Sequence, residues 1–419
     1  MEREILVYLD LDRVPHFVGR LWAHVRKGRE GATFEYDREW LENPRHFTLE
    51  PALHLGPGPQ HTKAGQAIFG AIGDSAPDRW GRLLMRRDEN ARAKAEGRGA
   101  STLYEADFLL RVDDRTRLGA LRFKEKPNGP FLAPPQVKRI PPLIEIPRLL
   151  DASRRVEAED DTDEDLRILL APGSSLGGAH PKASVRDRDG ELAIAKFPSA
   201  KDSWNRIAWE AVALTLAAAA GIDTPQWRLE PIAGKPVLIL KRFDRAGEIR
   251  IPFLSAMSLL GAGDHETRSY LDIADSLLQV GAEPKADRAQ LWQRLVFTIL
   301  ISNFDDHLRN HGLLYAGGSG WRLAPAYDMN PTPIDIKPRI LSTAIMEEDV
   351  EASLDRALEA ARYFGLDFPD AKAILRKTAA EISGWRPVAT DLGLSKTEIT
   401  RMESAFEHKE MAFARSFPD

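Results

Sequence analysis

The chain holds 419 residues, 43% hydrophobic and 29% charged, with 30 Gly and 28 Pro, the composition of an ordinary globular chain rather than a low-complexity one. Lys and Arg number 58 against 63 Asp and Glu; the net charge of −5 argues against a wholly basic nucleic-acid binder and leaves DNA contact to a local basic face or a partner. There is no Cys, so disulfides, thiolate metal sites and a Cys nucleophile are excluded.

The first residues, MEREILVYLDLDRV, alternate charged and apolar types, unlike the apolar core of a signal peptide. Nowhere does an apolar run reach the about 18 residues that span a bilayer, so a cytoplasmic protein without membrane association is expected. Short alternating runs at 5–9, 17–22 and 33–36 predict strands. The segment Asp74-Ser75-Ala76-Pro77-Asp78 predicts the start of a basic helix through Trp80, Leu83 and Leu84, with Ser75 or Asp74 as its cap. Six prolines between Lys126 and Pro142 predict a linker, because each fixes φ and removes a donor. A helix should begin near Pro147, and the acidic run 157–165 reads as a solvated loop plus an acidic first helical turn. Beyond residue 250 the apolar spacing is helical, with Leu291, Leu295 and Ile299 on one stripe. No internal repeat is evident. The expectation is an α+β chain in three parts: a β-rich unit over 1–125, a mixed unit over 126–245 and a helical lobe over 246–419.

Candidate chemistry concentrates in Asn303-Phe304-Asp305-Asp306-His307-Leu308-Arg309-Asn310 and the stretch ending Pro325-Ala326-Tyr327-Asp328. Two apolar runs around Gly317-Gly318-Ser319-Gly320 predict a β-hairpin, which returns its ends to one place. Asn310 before the first strand and Asp328 after the second could then hold a hard cation through oxygen. Asp305 precedes Asn310 by five residues, the spacing of kinase catalytic loops, in which the Asp takes the hydroxyl proton and the Asn binds metal. Alone, that spacing arises by chance in any charged chain of this size; the hairpin and the second Asp give it weight. A zinc site through His307 and His311 is the weaker reading.

Such chemistry needs cations upstream. The small-residue loop Ser174-Ser175-Leu176-Gly177-Gly178-Ala179-His180-Pro181-Lys182 could bring backbone N–H groups close to phosphate. After it, Asp189-Gly190 predicts a hairpin whose second strand ends at Lys196, on the same face as Leu192 and Ile194. A lysine on a buried face needs an anion, and Glu210 supplies a candidate partner. It interrupts the apolar stripe of a helix expected from Trp204 to Ala220, capped by Ser203 and stopped by Gly221. Next, 237–240 reads as a buried strand leaving through Lys241, Arg242 and Phe243.

In their order and spacing these segments resemble the HipA family of bacterial serine/threonine kinases, toxins of type II toxin–antitoxin systems, over nearly the whole chain. The resemblance implies a bilobal protein-kinase-like fold with a HipA-like N-terminal subdomain over 1–125, a kinase N-lobe over 126–245 and a helical C-lobe over 246–419. It implies ATP and Mg²⁺ as cofactors. The loop Gly177, Gly178, Ala179, His180, Pro181, Lys182 would cover ATP, Lys196 would bind its phosphates with Glu210 as partner, and Lys241, Arg242 and Phe243 would meet adenine. His307 and Tyr327 join the ATP contacts. Asp305 would be the general base, with Asn310 and Asp328 on the metal. Ser175, or Ser174 beside it, would be the site of an autophosphorylation that turns the kinase off. Where family loops often carry Gln-Glu or Arg-Pro before the Lys, this chain has His180-Pro181.

The resemblance further implies a translation-related protein substrate, such as an aminoacyl-tRNA synthetase, and a HipB-like helix-turn-helix antitoxin through which alone operator DNA is contacted. A small-molecule phosphotransferase and an inactive nucleotide-binding corepressor are the competing readings. Residues 392–401 look like part of a helix-turn-helix. They are read instead as an ordinary helix with a Ser395–Glu398 capping box, because Trp385-Arg386-Pro387 is expected to break the helix before it.

Overall fold

The structure, a computed structural model, describes residues 2–132, 140–170, 178, 180–264 and 266–417. The chain divides into two units, one of residues 1–201 with 230–254, the other of 202–229 with 255–419.

In the first unit, β1 (Glu2–Leu11), β2 (Val14–Arg26) and β3 (Arg29–Tyr36) form an antiparallel meander, extended by β4 (Gln60–His61) beyond β3 and β5 (Leu121–Lys124) beyond β1. The period of two puts Ile5, Val7 and Leu9 on one face of β1, all buried, and Leu6 on the other face is buried as well. The predicted basic helix is present as Arg79–Ala95, but its cap is Asp78, whose carboxylate accepts from Gly81 N at 2.8 Å. Asp74 instead closes the short helix Gly70–Gly73, and the Ser75 hydroxyl donates to Ile72 O. The helix Ile146–Glu157 carries Pro147 in its first turn, where no N–H is missed.

The acidic run does end in an acidic helical turn at Asp163–Leu170, yet it is not simply solvated. Asp165 is 3% exposed, ion-paired with Arg155 and bonded to Thr162 N, and Asp161 pairs with Arg87. β6 (Lys182–Arg186) and β7 (Leu192–Lys196) form the expected hairpin with Gly190 at φ +85°, and the sheet runs in the order β6-β7-β9-β8, where β8 is Trp227–Ile232 and β9 is Lys235–Lys241. Ala193, Ala195 and Phe197 face a core made with Leu149, Leu150, Leu166 and Trp80.

In the second unit the helix Arg206–Ala220 is capped by Asn205, not Ser203, and stops at Gly221 with φ +93°, a conformation that favours glycine. Helix Pro284–Leu300 is its buried axis, with Leu291, Leu295 and Ile299 wholly out of water. Pro387 does not break the chain: Trp385–Asp391 is helical, with the proline in its first turn. The Ser395–Glu398 capping box opens the helix Lys396–Phe406, and Trp385 stacks on Phe406 with centroids 4.7 Å apart, beside Trp209. That packing makes the pair of helices part of the lobe's core. No helix among the described residues is long and apolar enough to cross a membrane.

Candidate active site

The loop after helix Pro284–Leu300 is fixed from both sides. Phe304 is fully buried and anchors it, while the Asp305 side chain, next in sequence, is 61% exposed. Asn310 N donates to His307 O at 2.8 Å, closing a short 3-10 turn, and Asn310 Nδ2 donates to Asp305 O at 3.2 Å. The predicted hairpin follows as Gly312–Tyr315 and Trp321–Leu323, with Leu313 opposite Leu323. Its ends do return to one place: the Tyr327 hydroxyl donates to Arg309 O at 2.6 Å. Asp328 then takes φ +60°, which Asp tolerates better than most residues, and Asn330 N donates to Asn303 Oδ1 at 3.1 Å.

Beneath Asp305 lies a polar network that the sequence reading missed. Asp306 accepts hydrogen bonds from the Tyr270 hydroxyl and from His311 Nε2, the latter at 3.1 Å, and its backbone oxygen accepts from Thr343 Oγ1 at 2.7 Å. Burial would push the Asp306 carboxyl up, but the charge and hydrogen bond of His311, with the Tyr270 hydroxyl, leave it below the ordinary range. Burial and the neighbouring Asp306 together hold the Tyr270 phenol far above its ordinary value. Asp306 had been visible only as a neighbour of Asp305. A second omission is Lys337, whose Nζ lies 3.5 Å from Asp305 Oδ1.

The donor set suits a small hard cation. Asn310 is 4% exposed, and its Oδ1 has no hydrogen-bond partner although Nδ2 has one, so an acceptor oxygen is kept buried and uncommitted. Among the described residues there is no group of three or more His, Asp or Glu arranged for a metal. A site of one Asn and one Asp fits Mg²⁺, which keeps waters and phosphate oxygens in most of its positions, better than a metal caged by protein.

In the first unit Lys196 pairs in register with Lys182, directly across the β6–β7 ladder, and both are nearly buried at 8% and 5% exposed. Lys182 is neutralised by Asp78, with Nζ 2.9 Å from Oδ2. Lys241 stands opposite Ala193 on β9. Arg242 next to it is fully buried: Nε and Nη2 each lie 2.6 Å from the Asp244 carboxylate, Nη1 donates to Thr116 O, and its own N donates to Leu192 O. Its guanidinium therefore holds the strand exit to the 116–119 segment. Complete burial would raise Asp244, but Arg242 and Arg245 hold it well below the carboxylate range.

The expected residues thus fall into two sets. Lys182, Lys196, Lys241, Arg242 and Phe243 share the first unit; Glu210, Asp305, His307, Asn310, Tyr327 and Asp328 share the second. Of the expected loop, Gly178, at φ +96°, His180 and Pro181 are described. Ser174, Ser175, Gly177 and Ala179 lie outside the described residues.

An antiparallel sheet with a buried lysine in one unit, and a hairpin flanked by Asn310 and Asp328 in the other, define an α+β protein of the kinase-like class. The chain belongs to the HipA family: the HipA-like C-terminal domain matches residues 174–385, just over half of it. Among its relatives is the Sinorhizobium fredii protein named "Putative kinase Y4mE", 27% identical over 357 residues, which are 77% of this chain and 78% of that one. A second protein of the same organism, "Putative kinase Y4dM", is 33% identical over 135 residues, covering 28% of this chain and 32% of that one. The solved structure of HipA from Shewanella oneidensis, in complex with HipB and operator DNA, matches 99% of this chain and 100% of that chain at a TM-score of 0.63 and 17% identity. It establishes the shared fold.

Proposed function

We propose that this chain is an ATP- and Mg²⁺-dependent protein serine/threonine kinase of the HipA type. The observation that carries the reading is the uncommitted, buried Asn310 Oδ1 on a loop whose neighbouring carboxylate, Asp305, stays open to solvent. One side chain is built to ligate and the other to exchange a proton. Family membership and the kinase names of the relatives support the same conclusion.

In this reading Asp305 orients the acceptor hydroxyl and takes its proton, while Asn310 and Asp328 hold Mg²⁺. Held there, Mg²⁺ would supply positive charge to offset that of the phosphate oxygens. Lys196, with Glu210 as its partner, meets the phosphates; Gly177 to Lys182 cover ATP. Lys241, Phe243, His307 and Tyr327 line the nucleotide. Arg242 contributes backbone only, because its side chain is committed to Asp244 and Thr116. The division at 1–125, 126–245 and 246–419 assigns an N-terminal subdomain, an N-lobe and a C-lobe. Ser175 or Ser174 receives the autophosphorylation. The substrate is a translation-related protein such as an aminoacyl-tRNA synthetase, in the cytoplasm. The Shewanella protein's assembly with HipB and operator DNA supports a helix-turn-helix antitoxin as partner here.

The test is intact mass and peptide mapping of wild type and Asp305→Asn after incubation with ATP and Mg²⁺. Wild type should gain phosphate, and the variant should bind ATP without gaining it. Undiminished transfer by Asp305→Asn would remove that residue from its role.

A further inference from the structure

Beyond Asp328 the chain folds back along the loop that carries Asp305. Thr332 N donates to Ser302 O at 3.2 Å, Ser342 Oγ to Phe304 O at 2.7 Å, and Arg339 to Ser302 Oγ and Ile299 O at 2.8 and 3.0 Å. In the middle of this seam Lys337 Nζ donates to Phe304 O at 2.8 Å. From that anchor the ammonium lies 3.5 Å from Asp305 Oδ1, an ionic contact longer than a hydrogen bond. An ammonium carries three donors, so one can grip the backbone while another faces the carboxylate. The approach is to Oδ1, which leaves Oδ2 as the oxygen to be turned toward an acceptor.

We propose that Lys337 is a positioning residue for Asp305, fixing its carboxylate by Oδ1 so that Oδ2 meets the acceptor hydroxyl. The proposal rests on the reading of Asp305 as the general base. In the transfer the hydroxyl oxygen bonds to the γ-phosphorus as the bond from that phosphorus to the β,γ-bridging oxygen breaks. The hydroxyl proton passes to Asp305 Oδ2, and ADP leaves with the electron pair of the broken bond. A side chain as exposed as Asp305 would otherwise sample several rotamers, and a base displaced by about 1 Å costs up to about a hundredfold in rate. The lysine on the returning segment removes that freedom. An ion pair this exposed adds little to folding stability, and Phe304 O keeps the Ser342 hydroxyl as a donor when Nζ is removed, so the fold should stay intact.

The experiment compares full-length wild type, Lys337→Met, Lys337→Arg and Asp305→Asn in phosphate incorporation from ATP with Mg²⁺, alongside ATP binding and the unfolding midpoint. Lys337→Met should lower the rate at saturating ATP about ten- to a hundredfold while ATP affinity and midpoint stay at wild-type values, and Lys337→Arg should recover most of the rate. A Lys337→Met rate equal to wild type overturns the proposal, as does a joint loss of rate, ATP affinity and midpoint that arginine fails to restore. The Asp305→Asn arm reads the underlying assignment separately: transfer by that variant, or none by wild type, overturns the kinase reading and the proposal with it.

Discussion

Lys182 Nζ lies 2.9 Å from Asp78 Oδ2, and both side chains are almost wholly out of water, at 4% and 5% exposed. The pair joins the first residue of β6 to the capping residue of helix Arg79–Ala95, a hundred residues apart in the chain. It also answers an electrostatic difficulty, since Lys182 stands in register with Lys196 and two buried ammonium groups on adjacent strands repel. Asp78 offsets the charge of Lys182.

Breaking this pair from one side should cost more than removing it. Asp78→Ala takes from the buried Lys182 ammonium its 2.9 Å carboxylate and deletes a helix cap, a loss of up to about 3–5 kcal/mol for the charge and about 1 kcal/mol for the cap. Lys182→Met should cost less, and Asp78→Ala with Lys182→Met should be less destabilised than the sum of the two, measured by urea unfolding as a double-mutant cycle. Additive effects would mean that the contact contributes nothing.

Tyr270→Phe tests the network under Asp305. The buried Tyr270 hydroxyl donates to Asp306 beside the His311 contact. Leaving a buried carboxylate short of one donor should lower stability by about 1–3 kcal/mol and slow phosphate transfer more than it weakens ATP binding, because the loop holding Asp305 rests on Asp306. Differential scanning calorimetry and transfer rates read the two effects. An unfolding midpoint unmoved by the substitution would take Tyr270 out of the network.

Asn310→Ala removes the uncommitted Oδ1. The Mg²⁺ concentration giving half-maximal transfer should rise on the order of tenfold or more, since a site of few protein ligands has little to spare. Saturating Mg²⁺ should then recover part of the rate. Unchanged Mg²⁺ dependence would move the metal elsewhere.

What could be read from the sequence follows from the range of the interactions. Turn residues act over a few positions, so Asp189-Gly190 and Gly317-Gly318-Ser319-Gly320 disclosed both hairpins, and the Asp305 to Asn310 spacing lies within one loop. Helix interiors were equally plain, but caps were not: Ser75 and Ser203 are good capping types, and the chain uses Asp78 and Asn205 a few residues on. Propensity ranks Ser, Asp and Asn together, and only the backbone angle chooses among them. Pro387 looked like a breaker and sits harmlessly in a first turn. Tyr270 on Asp306, Lys337 on Asp305 and Asp78 on Lys182 join residues 36, 32 and 104 positions apart, where no local period carries a signal. Asp165 illustrates the same limit from the other side, an acid in a charge run that the fold buries against Arg155.

His408 gives the stability of the second unit a pH dependence of definite sign. Its Nε2 donates to Leu300 O at 3.0 Å and its Nδ1 accepts from Met411 N at 3.3 Å, an arrangement that needs the neutral ring. Burial, with the charge of Arg339 added, lowers its pKa from 6.5 to about 4. The folded state therefore binds fewer protons than the unfolded state between these values, and stability falls as the pH drops through them. The contribution is complete above about pH 6.5, and on the order of 3 kcal/mol is lost by pH 4 at about 1.4 kcal/mol per unit. His408→Gln cannot titrate, so the wild-type advantage over it, measured by urea unfolding, should shrink steadily from pH 7 to pH 4. A difference that stays constant across that range would show that the ring is protonated alike in both states, and that the two hydrogen bonds do not select its neutral form.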